Sequence, residues 1–151
     1  MNRQEIMLKN QLVTMLWAAF MIATIAYGVI IFFLNKGQID NFQFNRITLT
    51  LSVIGLFNII IGHLISSKIK NLLQKSQTKT PDQGLEALYS KFITLNIIAW
   101  AMIESAAALG LVCSFLEKNG IYFLSLGLPA LIVLFLSKPK PSILKEIMLR
   151  N

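Results

Sequence analysis

Four blocks of apolar residues, separated by short segments that carry the cations, dominate this chain. The first block, Gln11–Leu34, has no charged residue between Lys9 and Lys36. A helix rises about 1.5 Å per residue, so roughly 20 apolar residues cross a hydrocarbon core about 30 Å thick. The remaining blocks are Ile47–Ser67, Phe92–Leu116 and Ile121–Ser137. We therefore expect an all-α fold, a bundle of four transmembrane helices that forms a single membrane domain over residues 1–151.

The composition excludes most classes of soluble protein. Of the 151 residues, 55% are hydrophobic and 14% are charged, whereas about a quarter of the residues of a soluble domain are charged. The apolar residues are contiguous, which is typical neither of half-buried strands nor of disordered chains. The single cysteine, Cys113, lies inside the third block. We expect it to be a buried packing residue, and we expect no metal site and no cofactor.

The positions of the cations predict the orientation of the chain in a membrane. Eleven of the 14 Lys and Arg residues lie in the N-terminal segment, in the loop 68–91 and in the tail 138–151. The other three are Lys36, Arg46 and Lys118. By the positive-inside rule both termini and the long loop face the cytoplasm, so the protein is N-in and C-in. We expect a multi-pass protein of the inner (cytoplasmic) membrane.

The net charge of +7 also predicts partners. Because the cations flank the apolar blocks and do not form one basic face, we expect lipid and not nucleic acid as the partner. Contacts with anionic headgroups are expected through Lys68, Lys70, Lys75, Lys138 and Lys140. The tail 138–151 fits either a short interfacial helix on anionic lipid or a frayed end, and its mixture of apolar and basic residues favours the helix.

Two local signals concern the third and fourth spans. Thr80 and Pro81 fit the cap and the first position of a helix, which predicts that span three begins as an amphipathic cytoplasmic turn. The apolar face of this turn consists of Leu85, Leu88, Tyr89 and Phe92. The fourth block is interrupted by Gly127-Leu-Pro129, and a proline there frees the carbonyl one turn before it.

One acid, Glu104, stands in the third block with no other charge from Phe92 to Leu116. A carboxyl group at the centre of a membrane helix costs roughly 2.5–3.5 kcal/mol on insertion scales, so such a residue is a functional-site candidate. The midpoint of the second span falls near Asn58, which places a carboxamide at a similar depth. We predict that Asn58 and Glu104 pair, and that together they form the candidate ion or proton site.

Small residues predict that spans two and three pack on the faces that carry this pair. Gly55 and Gly62 recur along span two, and Ala101, Ala108 and Gly110 along span three. Small residues let helices approach closely in a membrane.

The other polar and aromatic residues of the spans carry weaker signals. His63 lies nearer the cytoplasmic end of span two. It is either a proton relay toward Glu104 or a headgroup-level side chain, and the second reading is the simpler one. Four aromatic residues are expected to face lipid or the interface: Trp17, Tyr27, Tyr122 and Phe123.

No nucleophile triad, zinc spacing or phosphate-binding loop occurs in the sequence, so we expect no enzymatic activity. Two functions remain. In the first, Glu104 and Asn58 lock helices together, a contribution of about 0.6–2 kcal/mol, in a non-enzymatic, oligomeric subunit or accessory of a larger membrane assembly. In the second, Glu104 exchanges a proton or binds a cation in an ion-translocating complex.

The stretch from Glu104 to Leu116, ESAAALGLVCSFL, resembles the ion-binding helix of the proteolipid subunits of rotary ATPases, of the c and K types. In those helices a membrane-central Glu is followed six residues later by Gly. The resemblance covers about a dozen residues of one helix, and it implies that Glu104 binds H⁺ or Na⁺, that Gly110 is a packing residue and that many copies form a ring. The whole chain looks like uncharacterised bacterial four-helix membrane proteins.

Overall fold

A computed structural model describes residues 3–35, 39–40, 45–79 and 85–140, and these residues form helices and short turns without any strand. The four helices are α1 (Arg3–Leu34), α2 (Arg46–Lys79), α3 (Leu85–Glu117) and α4 (Ile121–Leu136). The predicted all-α class is therefore confirmed.

Three of the helices are long and apolar enough to cross a membrane. The segments that meet this condition are Leu8–Leu34, Arg46–Ile69 and Glu86–Glu117. The fourth helix, α4, is a shorter apolar helix of 16 residues, about 24 Å long. The chain thus has the length and the apolarity that a helical membrane protein requires.

Contacts between side chains define the directions of the helices. Lys9 lies 3.4 Å from Glu86 near the starts of α1 and α3, and Tyr27 meets Glu104 farther along both helices, so α1 and α3 are parallel. Asn58 of α2 meets Ser105, and Trp17 of α1 meets Leu134 of α4. Thr48, which precedes Asn58, meets Cys113, which follows Ser105. The helix α2 is therefore antiparallel to α3. Gly28, which follows Trp17 on α1, packs on Phe123, which precedes Leu134 on α4. The helix α4 is therefore antiparallel to α1.

The third helix occupies the centre of the bundle. It contacts α1, α2 and α4, whereas α1 and α2 are not in extensive contact within the described residues. The most extensive pair is α2 with α3. Trp100 and Ile103 of α3 are fully buried, as are Ala106 and Ala107. Because α1 and α2 flank α3 without closing on each other, one strip of α3 stays open.

The connection 68–91, expected as a cytoplasmic loop with a helix start at Thr80–Pro81, is helical throughout its described residues. The helix α2 continues to Lys79 and α3 begins at Leu85. Ile69 and Leu73, four residues apart, are buried and extend the apolar face of α2 beyond its span. The predicted apolar face of the first turns of α3 is confirmed for the residues whose burial is known: Leu88, Tyr89 and Phe92 are buried. The predicted cap at Thr80–Pro81 and the tail segment 141–151 lie outside the described residues.

The fourth helix runs without a break through Gly127 and Pro129, as one predicted block. Its C-terminal end is held by two indole N–H groups. Trp17 Nε1 donates to the carbonyl oxygen of Leu134 at 2.8 Å, and Trp100 Nε1 donates to that of Ser137 at 3.1 Å. The last carbonyls of a helix lack donors within it; the indole of Trp100 donates to Ser137, and that of Trp17 adds a second donor to Leu134, which already accepts from the Ser137 N–H.

The turn between α3 and α4 is fixed by a positive φ and by one asparagine. Lys118 adopts a φ of 50°, a left-handed conformation that commonly ends a helix. Asn119 Nδ2 donates to the carbonyl oxygen of Asp40, and its Oδ1 accepts from the Asp40 N–H at 3.1 Å. The connection after α1 is thereby tied to the turn after α3.

Candidate functional site

The carboxyl group of Glu104 lies near the middle of α3 and is bonded to α1. Its Oε1 accepts a hydrogen bond from the hydroxyl of Tyr27 at 2.5 Å. Both side chains are half-buried. Tyr27 was expected to face lipid or the interface, and the structure shows it half-buried, with its hydroxyl bonded to Glu104. A signal for this position exists in the sequence, because Tyr27 stands seven residues before the end of the first apolar block, about 10 Å deep.

Asn58 bonds to the residue that follows Glu104. Its Nδ2 donates to Ser105 Oγ at 2.9 Å, and the hydroxyl of Ser105 donates to the carbonyl oxygen of Met102 at 2.7 Å. Successive residues of a helix point about 100° apart. The helix α2 packs on the side of α3 that carries Ser105, and α1 packs on the side that carries Glu104. Asn58 and Glu104, which were predicted to pair, are therefore not hydrogen-bonded to each other and take part in two adjacent hydrogen bonds.

Between these two hydrogen bonds, a strip of small residues on α3 is open. With 3.6 residues per turn, Ala101 and Ala108 fall between Glu104 and Ser105 around the helix. Ala101 is exposed and Ala108 is half-buried. We name this opening the α1–α2 cleft; it is walled by α1 and α2 and floored by α3. Its residues are Tyr27, Asn58, Ala101, Glu104, Ser105 and Ala108.

Two acceptor atoms in the α1–α2 cleft are left without donors among the described residues. The hydrogen bond from Tyr27 uses Oε1 of Glu104, and no described residue bonds to Oε2. The hydrogen bond of Asn58 uses its Nδ2, and no described residue donates to its Oδ1. Polar atoms that stay unbonded in an apolar medium cost several kcal/mol each by order of magnitude. The cleft is therefore open to a donor from outside this chain.

The glycines predicted as packing residues lie at close helix contacts. A Cβ on Gly62 would lie 2.6 Å from Ile103 Cγ1 and 2.7 Å from the carbonyl oxygen of Ala99 on α3. A Cβ on Gly55 would approach the methyl groups of Leu126 at 3.1 Å. Gly110 is buried against α4, where its Cβ would lie 3.2 Å from the Tyr122 carbonyl oxygen. Ala101, predicted as a packing residue, is exposed instead.

His63 does not join the cluster. Its side chain is exposed on α2, and no described hydrogen bond connects it to Glu104. Within the part of the chain that the structure describes, no three His, Cys, Asp or Glu residues are grouped as metal ligands. Cys113 is buried, as predicted, and its thiol faces the carbonyl oxygen of Thr48 at 3.8 Å.

A second opening, which we name the α1–α4 groove, lies on the other side of α1. It has a volume of about 340 Å³. Its lining residues are Thr24, Ile25, Gly28, Val29, Phe32, Phe33, Phe123, Leu124, Gly127, Leu128 and Leu131. Thr24 is the one polar side chain among them, and its hydroxyl donates to the carbonyl oxygen of Phe20 in its own helix at 3.0 Å. Phe123 and Tyr122, expected at the lipid surface, are buried.

Comparisons with protein-family models, with curated proteins and with solved structures found no significant match for this chain. The resemblance of α3 to rotary-ATPase proteolipids and the likeness of the chain to bacterial four-helix membrane proteins therefore stay predictions. The class that the helices define is that of a helical membrane protein.

Proposed function

We propose that the chain is a non-enzymatic, multi-pass protein of the inner membrane and that it serves as a subunit or accessory of a larger membrane assembly. The observation that supports this role is the α1–α2 cleft. Glu104 lies in an opening at mid-helix depth, with an oxygen that no described residue bonds. Acyl chains offer no hydrogen bonds, so an open polar group at this depth favours a protein neighbour over lipid alone.

The proposal includes four crossings with both termini in the cytoplasm. The alternating directions of the helices support an even number of crossings. The indoles of Trp17 and Trp100 meet the end of α4 where the chain reaches Lys138, whose ammonium lies 5.8 Å from the centre of the Trp17 ring. Trp and Lys together are typical of a membrane interface. Lys68, Lys138 and Lys140 are exposed at this end and would meet anionic headgroups.

Cysteine labelling tests this topology, because the chain has a single native cysteine that can be removed as Cys113→Ser. In that background we expect Lys118→Cys to react with a membrane-impermeant maleimide in intact cells. Lys140→Cys should react after permeabilisation. Labelling of Lys140→Cys in intact cells would contradict the orientation.

The subunit role is tested by a second measurement, the mass of the complex that is extracted with native lipids. We expect this mass to exceed that of the isolated chain. A monomer in native membranes would contradict the subunit role.

A second candidate function is proton or sodium binding in a proteolipid-like subunit of an ion-translocating complex. The observation that favours it is the half-buried carboxyl group of Glu104 next to a hydroxyl donor. Carbodiimide labelling in lipid, mapped by mass spectrometry, tests this function. Labelling at Glu104 that rises as the pH falls, or that Na⁺ blocks, would favour ion binding. A lack of labelling at every pH would favour a purely structural carboxyl.

A further inference from the structure

We propose that the α1–α2 cleft binds one transmembrane helix of a different protein, and that this helix carries a single lysine or arginine at mid-membrane depth. The inference rests on the proposed subunit role and deepens it, since it names the chemistry of the partner. It depends on two properties of the cleft, its floor of small residues and its unbonded acceptor atoms. It also depends on the absence of Lys and Arg from the apolar blocks of this chain.

The floor of the cleft allows another helix to come close. Ala101 is exposed and Ala108 is half-buried, and they are seven residues apart on one face of α3. Two alanines at this spacing leave backbone-to-backbone approach unobstructed over two turns of the helix. The side chains that flank them are Glu104 and Ser105, which α1 and α2 hold by hydrogen bonds. A docking helix therefore meets two small apolar side chains next to a polar centre.

The polar centre offers acceptors on both walls of the cleft. Glu104 Oε2 and Asn58 Oδ1 have no donor among the described residues, and the Tyr27 hydroxyl oxygen can also accept. An ammonium group has three N–H donors and a guanidinium group has five, and neither has an acceptor. A cation that reaches this point gains charge-assisted hydrogen bonds to these acceptors, which are stronger than hydrogen bonds between neutral groups.

Neither lipid nor a second copy of this chain provides such a group. An acyl chain fills space but donates no hydrogen bond. In this sequence no Lys or Arg lies inside the four apolar blocks. His63 stands five residues beyond Asn58 toward the cytoplasmic end of α2, a difference in depth of about 7.5 Å. The partner is therefore a separate membrane protein.

A binding measurement with designed helices tests the inference. The purified full-length chain is placed in phosphatidylcholine vesicles with a synthetic leucine–alanine helix of about 21 residues that carries one central lysine. An otherwise identical helix has leucine at the centre. Association is measured by energy transfer between labels on the two chains. We expect the lysine helix to bind about tenfold more tightly than the leucine helix.

Three variants locate the binding site. Glu104→Gln keeps an oxygen that accepts from Tyr27, so the fold should persist while the preference for the lysine helix disappears. Ala101→Leu fills the floor of the cleft and should abolish binding although the acid remains; because Ala101 is exposed, the bundle should tolerate leucine. The matched control is Ala87→Leu, which changes another exposed alanine of α3, about 21 Å away along the helix. It should bind like the unmodified chain.

Two outcomes would overturn the inference. One is equal binding of the lysine and leucine helices, and the other is a preference that survives both Glu104→Gln and Ala101→Leu. These results leave the subunit role standing if the chain still migrates with a larger complex in native membranes. Conversely, a chain that binds the lysine helix but is a monomer in native membranes would refute the subunit role and leave the binding chemistry of the cleft intact.

Discussion

The openings on the two sides of α1 differ in whether their polar atoms are hydrogen-bonded within the chain. The α1–α4 groove is lined by apolar side chains, and its one hydroxyl, on Thr24, is bonded within its own helix. The α1–α2 cleft holds the Glu104 carboxyl, whose hydrogen bond to Tyr27 leaves one oxygen without a donor among the described residues. Acyl chains are sufficient to fill the groove, whereas in our proposal a hydrogen-bond donor from a partner helix fills the cleft. The two openings are both exposed, and the difference on which our proposal depends is the unbonded polar atom in the cleft.

The largest effect on stability is expected at the close contact between α2, one wall of the cleft, and α3. Gly62→Ala places a Cβ 2.7 Å from the carbonyl oxygen of Ala99, a backbone atom that cannot rotate away. We expect a loss of about 1–3 kcal/mol in the free energy of unfolding, measured by denaturation in mixed micelles.

The matched control for Gly62→Ala is Gly55→Ala on the same helix. The nearest atoms to a Cβ at Gly55 are the methyl groups of Leu126 at 3.1 Å. A leucine side chain can shift by a few tenths of an ångström, so the free energy of unfolding should change by less than about 1 kcal/mol. Equal losses in the two variants would show that the α2–α3 contact is less tight at Gly62 than the structure indicates.

A smaller effect is expected when the hydrogen bond between Tyr27 and Glu104 in the cleft is removed. Tyr27→Phe removes the donor to Glu104 and should lower the free energy of unfolding by about 0.6–1.7 kcal/mol, the range for hydrogen bonds between membrane helices. Thr24→Val is the groove-side control, because its hydroxyl bonds only to Phe20 of its own helix among the described residues. The control should cost less than about 0.5 kcal/mol. If Thr24→Val costs as much as Tyr27→Phe, the proposed difference between the two sides of α1 is wrong.

The smallest effect is expected inside the groove. A Cβ on Gly28 would lie 3.0 Å from Cε1 of the Phe123 ring, and an aromatic ring edge can tilt away. Gly28→Ala should therefore change the free energy of unfolding by less than about 0.5 kcal/mol. Gly110→Ala on α3 faces backbone atoms at 3.2 and 3.3 Å and should cost more. The same denaturation assay compares the two variants, and the reverse order would contradict the expectation that the Phe123 ring yields more easily than the backbone of α4.

The sequence predicts the helices well and their rotation poorly. The lengths of the apolar blocks lead directly to α1, α2, α3 and α4. The depth of Glu104 can also be read from its block, and Asn58, predicted at a similar depth, bonds to the next residue, Ser105. Which neighbour bonds to the carboxyl group depends on the rotation of α3 about its axis, and a turn of about 100° exchanges Glu104 for Ser105. The hydrophobic pattern of the sequence does not determine the rotation of α3, because all faces of this helix are similarly apolar.

The extension of α2 beyond its span was missed for a different reason. Lys68 and Lys70 end the apolar block, and the sequence therefore favoured a loop. Ile69 and Leu73 are spaced by one helical turn and are buried. Their apolar spacing was a local signal for a helix that leaves the membrane while it still packs on its neighbours. The end of a transmembrane span is thus not the end of a helix.

The two indole hydrogen bonds at the end of α4 have a consequence for how the protein responds to the thickness of its bilayer. A helix of 16 residues is shorter than a typical hydrocarbon core. An isolated short helix adjusts to a thicker membrane by sliding or by association, at a cost of fractions of a kcal/mol per Å of mismatch. Here Trp17 and Trp100 fix the depth of α4 to that of α1 and α3. In the proposed four-crossing topology the lipid around α4 therefore thins, and hydrophobic mismatch recruits short-chain lipids to that side of the bundle.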